Sequence, residues 1–331
     1  MRNVCIVGAG AVGGVLGARL AASGVRTAAL ARGATLDALR THGWRLREGA
    51  AGEIVTAPAV VSDDPAELGV QDLVVLSVKA TALVDAVRAL PPLLGPHTTV
   101  LTAMNGVPWW FFAAGAGVPA ELRGLRLRAV DPDGSVAAAV PADRVLGGVV
   151  HYSASVVEPG FAARNAGREL IIGEPDGSRS DRATEVTALL TAAGFATTLS
   201  DRIQADVWYK LWGNMTMNPV SVLTGATSDL ILDDPLVHEF CVAVMREAAE
   251  VGDRIGCHID ETPADRMVVT RKLGAMTTSM LQDARSGRPI ELDALVGAVR
   301  EIAAAVGVAT PHTDALHGLA RLNGRTRGLY P

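Results

Sequence analysis

The stretch Val4-Cys5-Ile6-Val7-Gly8-Ala9-Gly10-Ala11-Val12-Gly13 runs from an apolar strand through a GxGxxG turn into a helix. Glycine is common here, at 35 of 331 residues, so the pattern alone is weak. Its setting gives it meaning. The apolar run stops at Val7, and Val12, Leu16 and Leu20 then recur at helical spacing. Backbone N–H groups and a helix N-terminus placed this way can hold a pyrophosphate. Small residues at Gly14, Gly17, Ala18 and Ala21 would let that helix lie close to a sheet.

Outward from this turn, strand and helix signals alternate. Thr27 to Ala31, Leu73 to Val78 and Thr99 to Met104 read as further strands, and Gly43 to Val61 as extra strands or a hairpin. Such alternation implies a parallel sheet covered on both faces. Residues 107–150 are less regular, and strand-like runs return at Val145 to Val150 and Glu169 to Ile172. From about residue 200, helical periodicity takes over. The segments are Asp201 to Met217, Pro235 to Ile255, Pro263 to Ala284, Pro289 to Val306 and Pro311 to Leu322. Four of the five begin with Pro, which suits the first helical turn. The expected fold class is therefore α/β: a Rossmann-type doubly wound parallel sheet over 1–200, followed by an all-helical domain over 201–331.

The second strand ends in Leu30-Ala31-Arg32-Gly33, where an NAD site would usually carry Asp or Glu. Arg32 can pair with a 2′-phosphate instead, which favours NADPH. Lys79 and Asn105 each follow a strand, so with Gly8 and Arg32 they fall beyond strand carboxyl ends, where open α/β sheets bind ligands. In the first long helix of the second half, Lys210, Asn214 and Asn218 are spaced by four and share one face among Val207, Trp208, Leu211 and Trp212. Burial lowers a lysine's pKa and would make Lys210 a proton donor near neutral pH. A lysine snorkelling from a packed helix is the plainer alternative. Ser279 and Glu291 form a further candidate pair, although a carboxylate near a helix start is favoured by the dipole without any function.

Taken together, Gly8 to Gly13, Lys79, Met104-Asn105-Gly106, Lys210-Leu211-x-x-Asn214-x-x-x-Asn218-Pro219, and Ser279-Met280-Leu281-Gln282-Asp283 with Glu291 resemble the ketopantoate reductase family pattern, in order, over residues 8 to 293. The resemblance implies a Rossmann domain and a helical domain with the active site in the cleft between them. It implies that Gly8, Ala9, Gly10, Ala11, Val12, Gly13, Arg32 and Lys79 bind NADPH, and that Asn105 holds the nicotinamide and catalytic groups. Lys210 becomes the general acid for reduction of a small 2-oxo acid, ketopantoate foremost. Asn214, Asn218 and Ser279 then bind the substrate's polar groups, and Glu291 bonds its hydroxyl end. Helices such as Pro235 to Ile255 often form dimer contacts in that family, so a homodimer is among the expectations.

Two departures stand out. Ser228 occupies a place where the family often has Asn, and a substrate contact could be missing. After Asn105-Gly106 comes an apparent insertion, Val107-Pro108-Trp109-Trp110-Phe111-Phe112, holding four of the chain's 13 aromatics. These rings would either wall a pocket for a bulkier substrate or serve ordinary packing. A reductase of bulkier keto acids or imines, and a β-hydroxy-acid dehydrogenase, share this layout, although the latter's usual Ser-Gly-Gly segment is missing. A non-catalytic NADPH sensor would need neither Lys210 nor Glu291. Short-chain dehydrogenases are excluded, because Tyr152 and Tyr209 are followed four residues later by Val156 and Gly213.

Bulk composition narrows the rest. A formal charge of -5 with no basic block argues against nucleic acid. The three cysteines form no CxxC pair, and the seven histidines show no HxH or HxxxH spacing, so neither a disulfide framework nor a metal site is expected. The apolar N-terminal run is too short for a signal peptide and no uncharged apolar 18-mer occurs, which points to the cytoplasm and no membrane span.

Overall fold

The computed structural model describes residues 1–49, 52–115, 117–272 and 274–331. It divides into two compact units, one of Met1–Met104 with Ser135–Ile203, the other of Asn105–Gly134 with Gln204–Pro331.

The first unit is built on strands β1 (Asn3–Val7), β2 (Arg26–Leu30), β3 (Trp44–Glu48), β4 (Ile54–Ala57), β5 (Val60–Ser62), β6 (Gln71–Leu76), β7 (Leu94–Thr102), β8 (Val145–Glu158), β9 (Phe161–Gly173) and β10 (Ala196–Ser200). Helices α1 (Ala11–Ala22), α2 (Gly33–His42), α3 (Pro65–Leu68), α4 (Leu83–Arg88), α5 (Ser135–Ala139) and α6 (Asp181–Ala192) lie between them. Among the described residues the sheet order is β4-β3-β9-β8-β7-β6-β1-β2-β5, with β10 also beside β9. From β5 to β8 every pairing is parallel. This is the doubly wound pattern that the continuous apolar runs imply: Val4, Cys5 and Ile6 are wholly buried, as a strand covered on both faces must be. The order reverses between β1 and β6, which sets the ligand crevice at their carboxyl ends.

Among the described residues antiparallel pairing enters at two places, β8 with β9 and β3 with β4. The Gly43 to Val61 segment thus contains a hairpin, and its residues 50 and 51 lie outside the described set. The hairpin also gives α1 its seat. A Cβ on Gly17 would come within 2.3 Å of the Trp44 ring, so the absent side chain is what lets α1 settle on β3. Trp44 is 1% exposed and its indole donates to the Thr27 carbonyl at 3.2 Å, so its polar edge is satisfied.

The second unit contains α7 (Ile203–Thr224), α8 (Ser228–Asp233), α9 (Pro235–Arg254), α10 (Pro263–Arg271), α11 (Ser279–Arg285), α12 (Ala298–Ala305) and α13 (Pro311–Thr326). Three expected helices differ. The helix expected to stop at Met217 continues through Pro219 to Thr224, carried by the buried Val220 and Val222. The expected helix Pro263 to Ala284 is two helices. Gly274, at φ +64°, takes a left-handed turn that ends the first, and Leu273 lies outside the described residues. The third, Pro289 to Val306, opens only after Glu291 and contains a π turn, Asp293–Gly297.

Residues 105–134 pack with these helices, whereas a cut at residue 200 places them with the sheet. The cause is local bonding. Gln204 donates to the Ala114 carbonyl at 3.0 Å, and Glu301 accepts from the backbone of Arg128 at 2.7 Å and Ala129 at 2.9 Å. Among the described residues no helix is long and apolar enough to cross a membrane.

Candidate active site

In the first unit the β1–α1 turn is shaped by contact with the end of β6. Ser77 donates its N–H to the Val7 carbonyl at 2.9 Å and its hydroxyl to the Gly8 carbonyl at 3.1 Å. Gly8 sits at φ +99°, and a Cβ on Gly13 would stand 2.2 Å from the Gly8 oxygen. The first and last glycines of the fingerprint are therefore fixed by the turn and by helix–strand proximity. The middle one is different: a Cβ on Gly10 would meet nothing within 4 Å. An open face beside a helix N-terminus is what close approach of a pyrophosphate needs. The Ser77 bonds carry no sequence signature.

Arg32 stands two residues past the last residue of β2 and is exposed, and its guanidinium has no partner among the described residues. Lys79 follows β6 and precedes a 3-10 turn, also exposed. The fingerprint, Arg32 and Lys79 therefore lie beyond the carboxyl ends of three adjacent strands.

In the second unit, α7 is held by its aromatic side. Trp208 donates to the Ala248 carbonyl at 3.2 Å and Trp212 to the Met245 carbonyl at 2.7 Å, which fixes that face on α9. At 3.6 residues per turn both tryptophans lie roughly 160° around the helix from Lys210. Lys210 is thereby turned away from α9, with Asn214 and Asn218 following on the same side.

The half-buried Lys210 donates to the side-chain oxygen of Asn105 at 2.9 Å. Burial pushes its ammonium down to about 8, while the charge of Glu291 acts in the opposite sense. Glu291 itself is 5% exposed. Asn105 is placed by its neighbour: the Val107 N–H bonds the Ala294 carbonyl at 2.9 Å. The structure thus gathers Lys210, Asn105 and Glu291 from three distant parts of the chain.

The backbone of Asn218 is tied to the start of α11 through a network that sequence reading missed. The Asn218 carbonyl accepts from Ser221 at 2.7 Å, and the Ser221 hydroxyl shares a 2.6 Å bond with Thr278. Thr278 caps α11 by accepting from Leu281 at 3.2 Å, which places Ser279 in the first turn of that helix. A Thr before a helical run is an ordinary N-cap signal and could have identified Thr278. The side chains of Asn214 and Ser279 are half-buried and form no hydrogen bond among the described residues.

The two departures also find their places. Ser228 is wholly buried, and its hydroxyl bonds Gly274 at 2.7 Å and Met276 at 3.2 Å, so it fastens the loop after α10. The aromatic row is core. Trp110, Phe111 and Phe112 are at most 1% exposed, Phe111 meets Phe112 edge-on at 5.0 Å, and Trp208 lies 6.2 Å away. The rings fill the space against α7.

Comparison with known proteins identifies the family. Residues 4–109 match the family described as ketopantoate reductase PanE/ApbA, and residues 202–323 match its C-terminal counterpart. A 2-dehydropantoate 2-reductase of Mesorhizobium japonicum is 41% identical over 330 residues, covering 99% of both chains. A crystal structure of a Ralstonia solanacearum protein assigned as a ketopantoate reductase shares 55% identity over 100% of each chain, with a TM-score of 0.94. A D-mandelate dehydrogenase solved with NADH and anilino(oxo)acetate shares the fold, with a TM-score of 0.82 at 20% identity over 99% of this chain and 100% of that one. The chain belongs to the ketopantoate reductase family.

Proposed function

We propose that this protein reduces a small 2-oxo acid to the 2-hydroxy acid with NADPH, ketopantoate to pantoate foremost, in the cytoplasm. The observation that carries the reading is Lys210: half-buried, bonded to Asn105 at 2.9 Å, and brought to about 8 by burial. A cation that gives up its proton near neutral pH suits a reaction in which a carbonyl becomes an alcohol.

The residues of the first unit fit the cofactor. Within the Gly8–Gly13 turn Gly10 offers an open backbone face, Arg32 an exposed guanidinium for a 2′-phosphate, and Lys79 a second cation past β6. When bound, NADPH supplies a hydride. In the second unit, Lys210 polarises the carbonyl oxygen and delivers the proton that completes the alcohol. It thereby stabilises developing alkoxide charge more than the ground-state ketone. Asn105 orients the ammonium, Glu291 accepts from the substrate's hydroxyl end, and Asn214, Asn218 and Ser279 bind its remaining polar groups. Because the aromatic row is buried core, nothing in it calls for a bulky substrate.

The test is NADPH oxidation with ketopantoate against larger 2-oxo acids and cyclic imines. Turnover confined to ketopantoate supports the reading. Activity only on a larger acceptor overturns the substrate but keeps the role of Lys210, and silence despite NADPH binding overturns catalysis. Pairing of two copies through the second unit's helices belongs to the same reading. It is supported by the exposed Leu230, Leu236 and Val268 and checked by light scattering.

A further inference from the structure

The end of the chain returns to the segment that carries Glu291. The Ile290 N–H donates to the Leu329 carbonyl at 3.0 Å, and the Tyr330 hydroxyl donates to Asp293 at 2.8 Å. Glu291 stands between these two attachment points. The tail is itself secured: the Leu329 N–H bonds Gly324 at 2.8 Å, and Arg325 bonds the Pro331 carbonyl at 2.8 Å with its guanidinium 5.7 Å from the Tyr330 ring. Ile290, Leu292 and Leu329 are buried, so the segment is clamped on its apolar side as well.

The π turn Asp293–Gly297 follows at once. An i→i+5 turn is rare, occurs mostly as a single turn within an α-helix, and is frequent at functional sites. Here Tyr330 bonds its first residue, and the Ala294 carbonyl takes the Val107 N–H. The groups facing Asp293 and Tyr330 are His317, whose Nε2 lies 3.9 Å from Asp293, and the cations Arg321 and Arg325. Burial and the bond to Asp293 push the Tyr330 phenol up to about 12, so it remains a donor through the neutral range.

The geometry points to Tyr330, through its hydrogen bond to Asp293 beside the Leu329–Ile290 backbone bond, as a positioning residue that holds Glu291 in range of the Lys210–Asn105 pair. This rests on the proposed roles of Lys210 and Glu291. Without the phenol hydroxyl, Asp293 is released toward His317, the π turn relaxes, and Glu291 shifts.

The experiment compares Tyr330→Phe and Asp293→Ala with Glu291→Gln. It measures kcat, KM for ketopantoate, NADPH affinity and the pH profile of kcat/KM. Tyr330→Phe is expected to raise KM about tenfold, the scale of one net hydrogen bond, with NADPH affinity unchanged. The alkaline limb moves to lower pH, because the Glu291 charge that raises the Lys210 pKa retreats. Asp293→Ala reproduces both changes, and adding Tyr330→Phe to Glu291→Gln changes little further. If Glu291→Gln shifts KM and the limb while Tyr330→Phe and Asp293→Ala leave both in place, the positioning role is overturned. A silent Glu291→Gln overturns the site reading and this assignment with it.

Discussion

Lys210 is where the chemistry can be checked most directly. An ammonium must be protonated to act as the acid, and the protonated fraction falls as pH rises through its pKa. With that pKa brought to about 8, kcat/KM should hold below pH 8 and decline above it. Lys210→Ala should lower kcat by roughly 10²–10⁴, the usual span for a positioned general acid, and its residual rate should lack the alkaline limb. NADPH affinity should be unchanged; if affinity and rate fall together, the residue serves binding and its assigned role is wrong. Spacing by four was enough to put Lys210, Asn214 and Asn218 on one face. The bond from Lys210 to Asn105 spans 105 positions in sequence and leaves no local pattern. From its own position Glu291 read as a carboxylate near a helix start, and only the family resemblance gave it a substrate role. Its burial and its coupling to Lys210 arise from packing that no periodicity encodes.

Among the elements, the β1–α1 turn separates two kinds of glycine. A Cβ on Gly10 meets nothing, whereas one on Gly17 runs into Trp44 at 2.3 Å. Gly10→Ala should therefore leave the melting temperature of the cofactor-free protein almost unchanged while weakening NADPH binding. Gly17→Val should destabilise the protein by about 1–3 kcal/mol, as overpacked cores do, with NADPH affinity preserved in the folded fraction. Calorimetry and fluorescence titration read both quantities. Unaltered affinity in Gly10→Ala would remove the turn from the cofactor site. The turn and the strands around it were legible because apolar runs and a period of 3.6 mark them. The helices misread from sequence failed for specific reasons. Pro219 reads as a stop, yet buried Val220 and Val222 carry α7 past it. Gly274 is easily overlooked within a helical pattern, and Ser228, 46 positions away, bonds the turn it makes.

At the scale of the molecule, the two-unit organisation was legible from the change in periodicity near residue 200, but the affiliation of 105–134 was not. That stretch is irregular, and its rings could have faced a substrate as readily as a core. Its placement rests on contacts such as Glu301, whose carboxylate accepts the N–H groups of Arg128 and Ala129. Hydrogen bonds to a charged acceptor contribute about 1.5–3 kcal/mol when desolvated, less where water reaches them. Glu301→Ala should accordingly loosen 105–134 together with α7 and α12, while the central strands β1 and β6 keep their protection. Hydrogen exchange read by mass spectrometry resolves this peptide by peptide. Faster exchange confined to the second unit is the expected pattern, because local opening follows the cooperative unit in which a bond is made. Acceleration in β1 and β6 with α7 unaffected would show that 105–134 draws its stability from the sheet, and the division between the units would have to be redrawn.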